Sequence, residues 1–424
     1  MYRFLVLPIL LFSCKGAVTE KNTLPDSATQ NNVVVEAESF LRQSGGISVV
    51  KNNHNAMSVQ TADTGSWLTY AVTVPVSGRY KIKLIAANRT GKEAHCWLED
   101  YIDNKDNRTY NVTGKIQVAP MDTSTSSTHQ IDGAPLAATT HQMKLHVENS
   151  ALIIDKIEFE LMKTQVPTKK VFKQKTDGKE WKMVWSDEFD GQGLPDTSKW
   201  TFDFGNWGWG NNELQYYTSG RTENARQENG NLIIEAHKND AGMPWSSARI
   251  TTREKVSFIY GKIDFMAKVP GGKGTWAAGW LLGDKYTDEL SWPYCGEVDI
   301  LENVGFEMDP LTGKGKTHAS IHCGAYYFKL GNQPTAITEV ENMNNAYHLY
   351  SLEWFPERID IFIDGKKYFE YKDTSSALSW PYNDPQNIIL NLAMGGGWGG
   401  AKGMDPEITS QQFIIDYVRV YELQ

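Results

Sequence analysis

Apolar and polar residues alternate with a period of two along much of this 424-residue chain. Strand side chains point alternately to opposite faces, so such runs predict half-buried strands. Trp67-Leu68-Thr69-Tyr70-Ala71-Val72-Thr73-Val74 and Tyr80-Lys81-Ile82-Lys83-Leu84-Ile85 are two clear cases, with Pro75 and Ser77-Gly78 marking the turn between them. The pattern predicts a β-sandwich over residues 33–162. From Trp181 onward strands dominate again, with no amphipathic helix of roughly 15 residues and with many Gly and Trp turns. The stretch from Tyr260 to Pro270 alternates cleanly and is expected to line the sheet that carries the acids described below.

Between these regions the periodicity lapses. Residues 163–180 are Lys-rich and read as a linker, and residues 14–32 are polar and read as a flexible tether. The start, Met1-Tyr2-Arg3 followed by an apolar run to Phe12, reads as an export signal over residues 1–13, too short for a membrane span. Leu11-Phe12-Ser13-Cys14 resembles a bacterial lipoprotein cleavage box, which implies lipidation of Cys14. The expectation is an exported chain held at the outer membrane or cell surface by that anchor, or secreted without it.

Chemistry concentrates in Gly296-Glu297-Val298-Asp299-Ile300-Leu301-Glu302-Asn303-Val304-Gly305. In a regular strand Glu297 and Asp299 share a face and Glu302 points the other way. One extra residue between Asp299 and Glu302, a β-bulge, would bring all three carboxyls to one face. Three crowded acids repel and raise at least one pKa, which stability alone does not favour. Glycoside hydrolysis with retained configuration needs two carboxyls about 5 Å apart, one a nucleophile and one a protonated acid that later acts as base. The competing reading is a surface strand that carries three acids by chance.

The flanking segments distinguish the two. Asn206-Trp207-Gly208-Trp209-Gly210-Asn211-Asn212-Glu213-Leu214-Gln215-Tyr216-Tyr217, Ser247-Ala248-Arg249-Ile250-Thr251-Thr252 and Trp292-Pro293-Tyr294-Cys295 occur in order around the acids. Together they resemble the family 16 glycoside hydrolases of laminarinase type, endo-β-1,3-glucanases, from about Trp185 to Tyr421. The resemblance implies a curved two-sheet β-jelly roll over 181–424, with Glu297 as nucleophile, Asp299 as assisting carboxylate and Glu302 as general acid/base. It also implies sugar contacts at Trp280, Trp292, His322, Arg249, Asn212, Trp209 and Trp398. Trp276 is expected to pack inside, and His318 to be a core residue. A structural calcium site is implied at Glu188, the Gly230 carbonyl and Asp416. The sandwich resembles family 6 carbohydrate-binding modules at its two ends, which implies a second calcium at Glu36, Glu38 and Asp155. Trp67 and Trp97 are its candidate sugar platforms.

Composition narrows the partners. Net charge is −9, with no basic stripe to track a phosphate backbone, so nucleic acid is excluded and a neutral glucan is favoured over an anionic one. Fourteen Trp residues suit sugar stacking. Proton transfer and a carboxylate nucleophile suffice, so no catalytic cofactor is expected. Cys96, Cys295 and Cys323 have no metal-ligand spacing, and Cys295 and Cys323 are either paired or buried thiols. The expected whole is a monomer acting on β-1,3-glucan. The alternatives are mixed-linkage β-glucan or a galactan such as agar or carrageenan, transglycosylation, and a surface lipoprotein that captures glycan without cleaving it.

Overall fold

The computed structural model describes residues 31–51, 55–62, 65–101, 109–121, 126–148 and 151–424. Cys14, the signal segment and nearly all of the tether lie outside them. Among the described residues the chain is nearly all β, and no helix is long and apolar enough to cross a membrane.

The N-terminal part consists of two six-stranded sheets. Gly78–Ala87 is central in one, between Ser127–Leu136 and Ile153–Thr164. Thr140–Glu148 is central in the other, between Ser66–Thr73 and Ala94–Tyr101. Alternate residues such as Leu68, Tyr70, Ile82, Leu84, Met143 and Leu145 close into one core between the sheets. Each such side chain contributes roughly 1.5–3 kcal/mol of burial. Trp67 and Trp97 are half-buried on the outer face, with His146 stacked 4.8 Å from Trp97 and the lysines 144 and 115 lying over the two indoles.

The C-terminal part is a jelly roll of a nine-stranded and a ten-stranded sheet. In the nine-stranded sheet the order runs Gln386–Met394, Thr275–Gly283, Glu297–Val304, Gly315–His322, Thr335–Val340. Part of the segment read as a linker joins it, since Lys170–Lys173 pairs in parallel with Val256–Ile259. The stretch around Tyr260 departs from expectation. Gly261–Lys268 belongs to the ten-stranded sheet, between Ser410–Leu423 and His348–Phe355, and not to the sheet of the acids. Its apolar set, Ile263, Phe265 and Ala267, faces that sheet across the core, and a Cβ on Gly279 would meet the Phe265 ring at 3.0 Å. Alternation reports a half-buried strand but not which of two facing sheets owns it.

Candidate active site

Both neighbours of the strand Glu297–Val304 fix which way its side chains point. Glu297 pairs with Leu282 and His322, Asp299 with Trp280 and Ser320, and Glu302 with Ala278 and His318. Leu301 pairs with Gly279 and Asp299 with Trp280, so Ile300 is the extra residue of a bulge. Ile300 and Leu301, though consecutive, are both fully buried in the core, and Glu302 returns to the face of Glu297 and Asp299. The three carboxyls line a cavity of about 610 Å³.

Each glutamate receives one indole N–H. Trp292 donates to Glu297 Oε2 at 3.0 Å, and Trp276 donates to Glu302 Oε1 at 3.1 Å. His322 Nε2 lies 3.4 Å from Asp299 Oδ2 and 3.8 Å from Glu297 Oε1. Donor atoms of Glu297, Asp299 and His322 all fall within 4.8 Å of one another. Burial is the largest influence on both glutamates and raises both pKa values, with Asp299 adding to the rise. The opposing influences differ. His322, the Trp292 N–H and Arg249 all favour charge on Glu297, whereas Glu302 has only the Trp276 N–H against Asp299 and Glu297. Glu302 is therefore the carboxyl held protonated, and Glu297 the one more readily ionised. Burial opposes charge on His322, but the Asp299 contact and the two carboxylate charges outweigh it and raise its pKa.

Beyond Trp280 the cavity is aromatic and cationic. The Trp280 N–H donates to Asn391 Oδ1 at 2.7 Å. Arg249 lies 4.7 Å from the Trp280 ring and 4.8 Å from the Trp209 ring, and its Nε is 3.1 Å from Asp203 Oδ2. Trp398 lines the other side, 5.1 Å from Trp276 and 4.8 Å from His318. Trp280, Trp292, His322, Arg249, Trp209 and Trp398 are thus all brought to one cavity.

Asn212 is not. It is exposed and absent from the lining, while Asn211 and Glu213 on either side of it face inward. Left-handed backbone at Trp209, Gly210 and Asn212 turns the chain there, so simple alternation does not hold. Trp276 and His318, expected in the core, line the cavity instead. Trp276 shares a strand face with Ala278 and Trp280, and His318 pairs across from Glu302. The reading of the sequence also passed over Glu213, Glu289 and Tyr110 as lining residues. Glu213 stood inside a quoted motif, and its burial pushes its pKa up to about 7. Tyr110, from the N-terminal part, gives no sequence signal for this site.

The predicted metal residues fare differently from one another. Among the described residues, Glu297, Asp299 and His322 form the one cluster of three or more potential side-chain ligands. Glu188 is held through both oxygens by Arg419, at 2.7–3.2 Å, so the guanidinium supplies the counter-charge a calcium ion would bring. Asp416 is close enough to Glu188 and Asp190 for their charges, after burial, to raise its pKa, and Gly230 occupies a left-handed turn. In the N-terminal part Glu36 pairs with Lys156 beside Asp155, and Glu38 has a buried oxygen without a hydrogen-bond partner, which suits a cation. Cys295 and Cys323 are buried free thiols.

Comparison with known proteins agrees with this geometry. The family model described as Glycosyl hydrolases family 16 matches residues 212–419. A beta-glucanase of Rhodothermus marinus is 44% identical over 57% of this chain and 85% of its own length. Glucan endo-1,3-beta-glucosidase A1 of Niallia circulans is 34% identical over 57% of this chain, which spans 38% of that protein. The solved laminarinase of Rhodothermus marinus superposes with a TM-score of 0.54 at 43% identity, covering 57% of this chain and 98% of that one. A bulged strand that sets an ionisable and a protonated carboxyl on one face is what cleavage of a glycosidic bond by two acids requires. With the Rhodothermus marinus beta-glucanase matched at 44% identity across 85% of its length, the chain is a glycoside hydrolase and belongs to the glycosyl hydrolases family 16.

Proposed function

We propose that the protein hydrolyses β-1,3-glucan with retention of configuration, releasing short oligosaccharides. The observation that carries this is the unequal setting of Glu297 and Glu302 on one strand face. Glu297 attacks the anomeric carbon while Glu302 gives its proton to the leaving oxygen. Water then adds to the glycosyl-enzyme as Glu302 takes its proton, which restores both carboxyls. Asp299 keeps the proton on Glu302 between turnovers and, with His322, steadies Glu297.

The choice of glucan rests on the names of the relatives and on charge. Arg249 is already engaged by Asp203, and the lining offers the aromatic faces of Trp209, Trp280 and Trp292, so an uncharged glucan suits the cavity better than a sulfated galactan. Capture without turnover leaves the pairing of two differently poised acids unexplained. As further parts of this reading, the N-terminal sandwich is a carbohydrate-binding-module relative, with calcium at Glu36, Glu38 and Asp155 supported by the unpartnered Glu38 oxygen. A second structural calcium at Glu188, Gly230 and Asp416 would have to displace Arg419 from Glu188. Cys14 anchors an exported monomer.

Product analysis on laminarin, mixed-linkage β-glucan, agarose and carrageenan tests the function, with wild type beside Glu297→Ala. Short β-1,3-linked oligosaccharides from laminarin, absent with the variant, are expected. Products from a galactan alone would overturn the substrate, and binding without products would overturn the enzyme reading.

A further inference from the structure

At the Arg249 end of the cavity, the loop carrying Trp209 to Glu213 and the loop carrying Tyr286 to Trp292 approach each other. A Cβ built on Gly210 of the first would lie 3.5 Å from the Glu289 carboxyl of the second. Both loops are backed by the N-terminal sandwich. Ala134 packs in one buried cluster with Trp207, Trp209 and Tyr217, and a Cβ on Gly114 would lie 2.9 Å from the Trp207 carbonyl oxygen. On the other side Tyr110 lines the cavity, donates its hydroxyl to the Trp292 carbonyl at 3.1 Å and stands edge-on to the Trp292 ring. Lys329 straps the same corner, 3.9 Å above the Tyr110 ring and 3.3 Å from the Thr109 carbonyl.

The joint is polar as well as apolar, and it reaches the sugar-binding machinery. Arg79 of the sandwich pairs with Asp203 Oδ1 at 2.8 Å, while Arg249 holds the other oxygen of the same carboxylate. Arg79 and Arg249 flank the Trp209 ring at 5.1 and 4.8 Å. Asp132 accepts from Tyr216 at 3.0 Å, and its backbone N–H donates to Asn206 at 3.0 Å. At this end Trp207 is fully buried between Ala134 of the sandwich and Trp209. The family match begins only at residue 212, and the solved laminarinase is covered over 98% of its length by 57% of this chain. The sandwich residues at this joint, Arg79, Tyr110, Asp132 and Ala134, thus lie outside the family match.

We propose that the N-terminal sandwich closes the substrate groove at its Arg249 end, so that the enzyme cuts at a fixed, short distance from one terminus of the glucan chain. A chain end seats against the wall formed by Tyr110 and the facing loops of Gly210 and Glu289, and the distance from that wall to Glu297 sets the length of the released product. Tyr110 and Arg79 are specificity-determining through this wall and take no part in bond cleavage. This rests on the β-1,3-glucan reading above.

The test uses linear β-1,3-gluco-oligosaccharides of several lengths, reduced to the alditol at one end so that each cleavage position has its own product mass. Initial products are compared for wild type and the Arg79→Ala, Tyr110→Ala double variant. Wild type should cut one dominant bond, counted from the same terminus at every length, and the variant should spread cleavage over several bonds. Scattered cleavage by wild type from the first turnovers, or the same single bond in a folded variant, overturns the proposal. If the variant does not fold, oligosaccharides carrying a bulky fluorophore at one or the other terminus decide the matter with wild type alone. One tagged isomer should lose about 100-fold or more in kcat/KM, and equal cleavage of both overturns the wall. No cleavage of any untagged oligosaccharide would instead overturn the glucan reading on which the proposal stands.

Discussion

Trp292 and Trp276 give Glu297 and Glu302 the same donor, an indole N–H, yet the two carboxyls are biased differently by what else they face. Replacing Glu297 by Gln is expected to lower kcat on laminarin on the order of 10⁴-fold or more, measured by reducing-sugar release. Glu302→Gln should lose comparable activity on laminarin but retain glycosyl-enzyme formation from an aryl glycoside, whose leaving group needs no proton. A burst of aryl alcohol checks this. Because Asp299 raises the pKa of Glu302, Asp299→Asn should lower it, and the alkaline limb of the kcat/KM–pH profile should move to lower pH. The carboxyl triplet was legible in the sequence because its spacing is chemically expensive and its flanks are distinctive. The roles of Trp276 and His318 were not, since an aromatic or His on an alternating strand reads equally well as core and as groove until the face is known.

The bulge at Ile300 is the element on which the chemistry depends. Two adjacent apolar residues, Ile300 and Leu301, between acids are its trace in the sequence, and both are fully buried. The entry to this strand is fixed by close backbone approach: the Gly283 N–H donates to the Gly296 carbonyl at 3.0 Å, and a Cβ on Gly283 would sit 1.9 Å from the Cys295 carbonyl oxygen. Gly283→Ala should therefore force the two strands apart and cost about 2–4 kcal/mol, seen as a lowered denaturant midpoint, with kcat falling alongside. Strand identity was readable from period two, but sheet membership was not. Gly261–Lys268 faces the acids' sheet across the core and looks the same in sequence as a strand within it. The turn at Asn212 escaped for another reason, since left-handed residues other than Gly break the alternation that places side chains.

At the scale of the whole molecule, two β units were foreseeable from the lapse of periodicity near residues 163–180. Their joint was not, because Tyr110 and Trp292, or Arg79 and Asp203, are far apart in sequence and share no motif. Asp203 is the hinge of that joint electrostatically. Burial pushes its pKa up, but Arg79, Arg249 and Arg253 outweigh burial and hold it below its ordinary value of 3.8. A carboxyl with a depressed folded pKa stabilises the fold above its unfolded pKa and loses that contribution as pH falls toward the folded one. Wild type should accordingly lose stability as pH drops below about 4, and Asp203→Asn should flatten that dependence. At neutral pH the same variant leaves two buried guanidinium groups without their carboxylate, and should cost about 3–5 kcal/mol in chemical denaturation. The sandwich and the hydrolase should then unfold in separate transitions.

The central claim is that Glu297 and Glu302 act as nucleophile and acid/base of a retaining β-1,3-glucan hydrolase. Proton NMR of laminarin during the first minutes of digestion tests it most directly, by following which anomer of the new reducing end appears before mutarotation. The β-anomer should appear first and convert slowly to the α-form. First appearance of the α-anomer would contradict double displacement at Glu297, and no new reducing ends would contradict the glucan assignment itself.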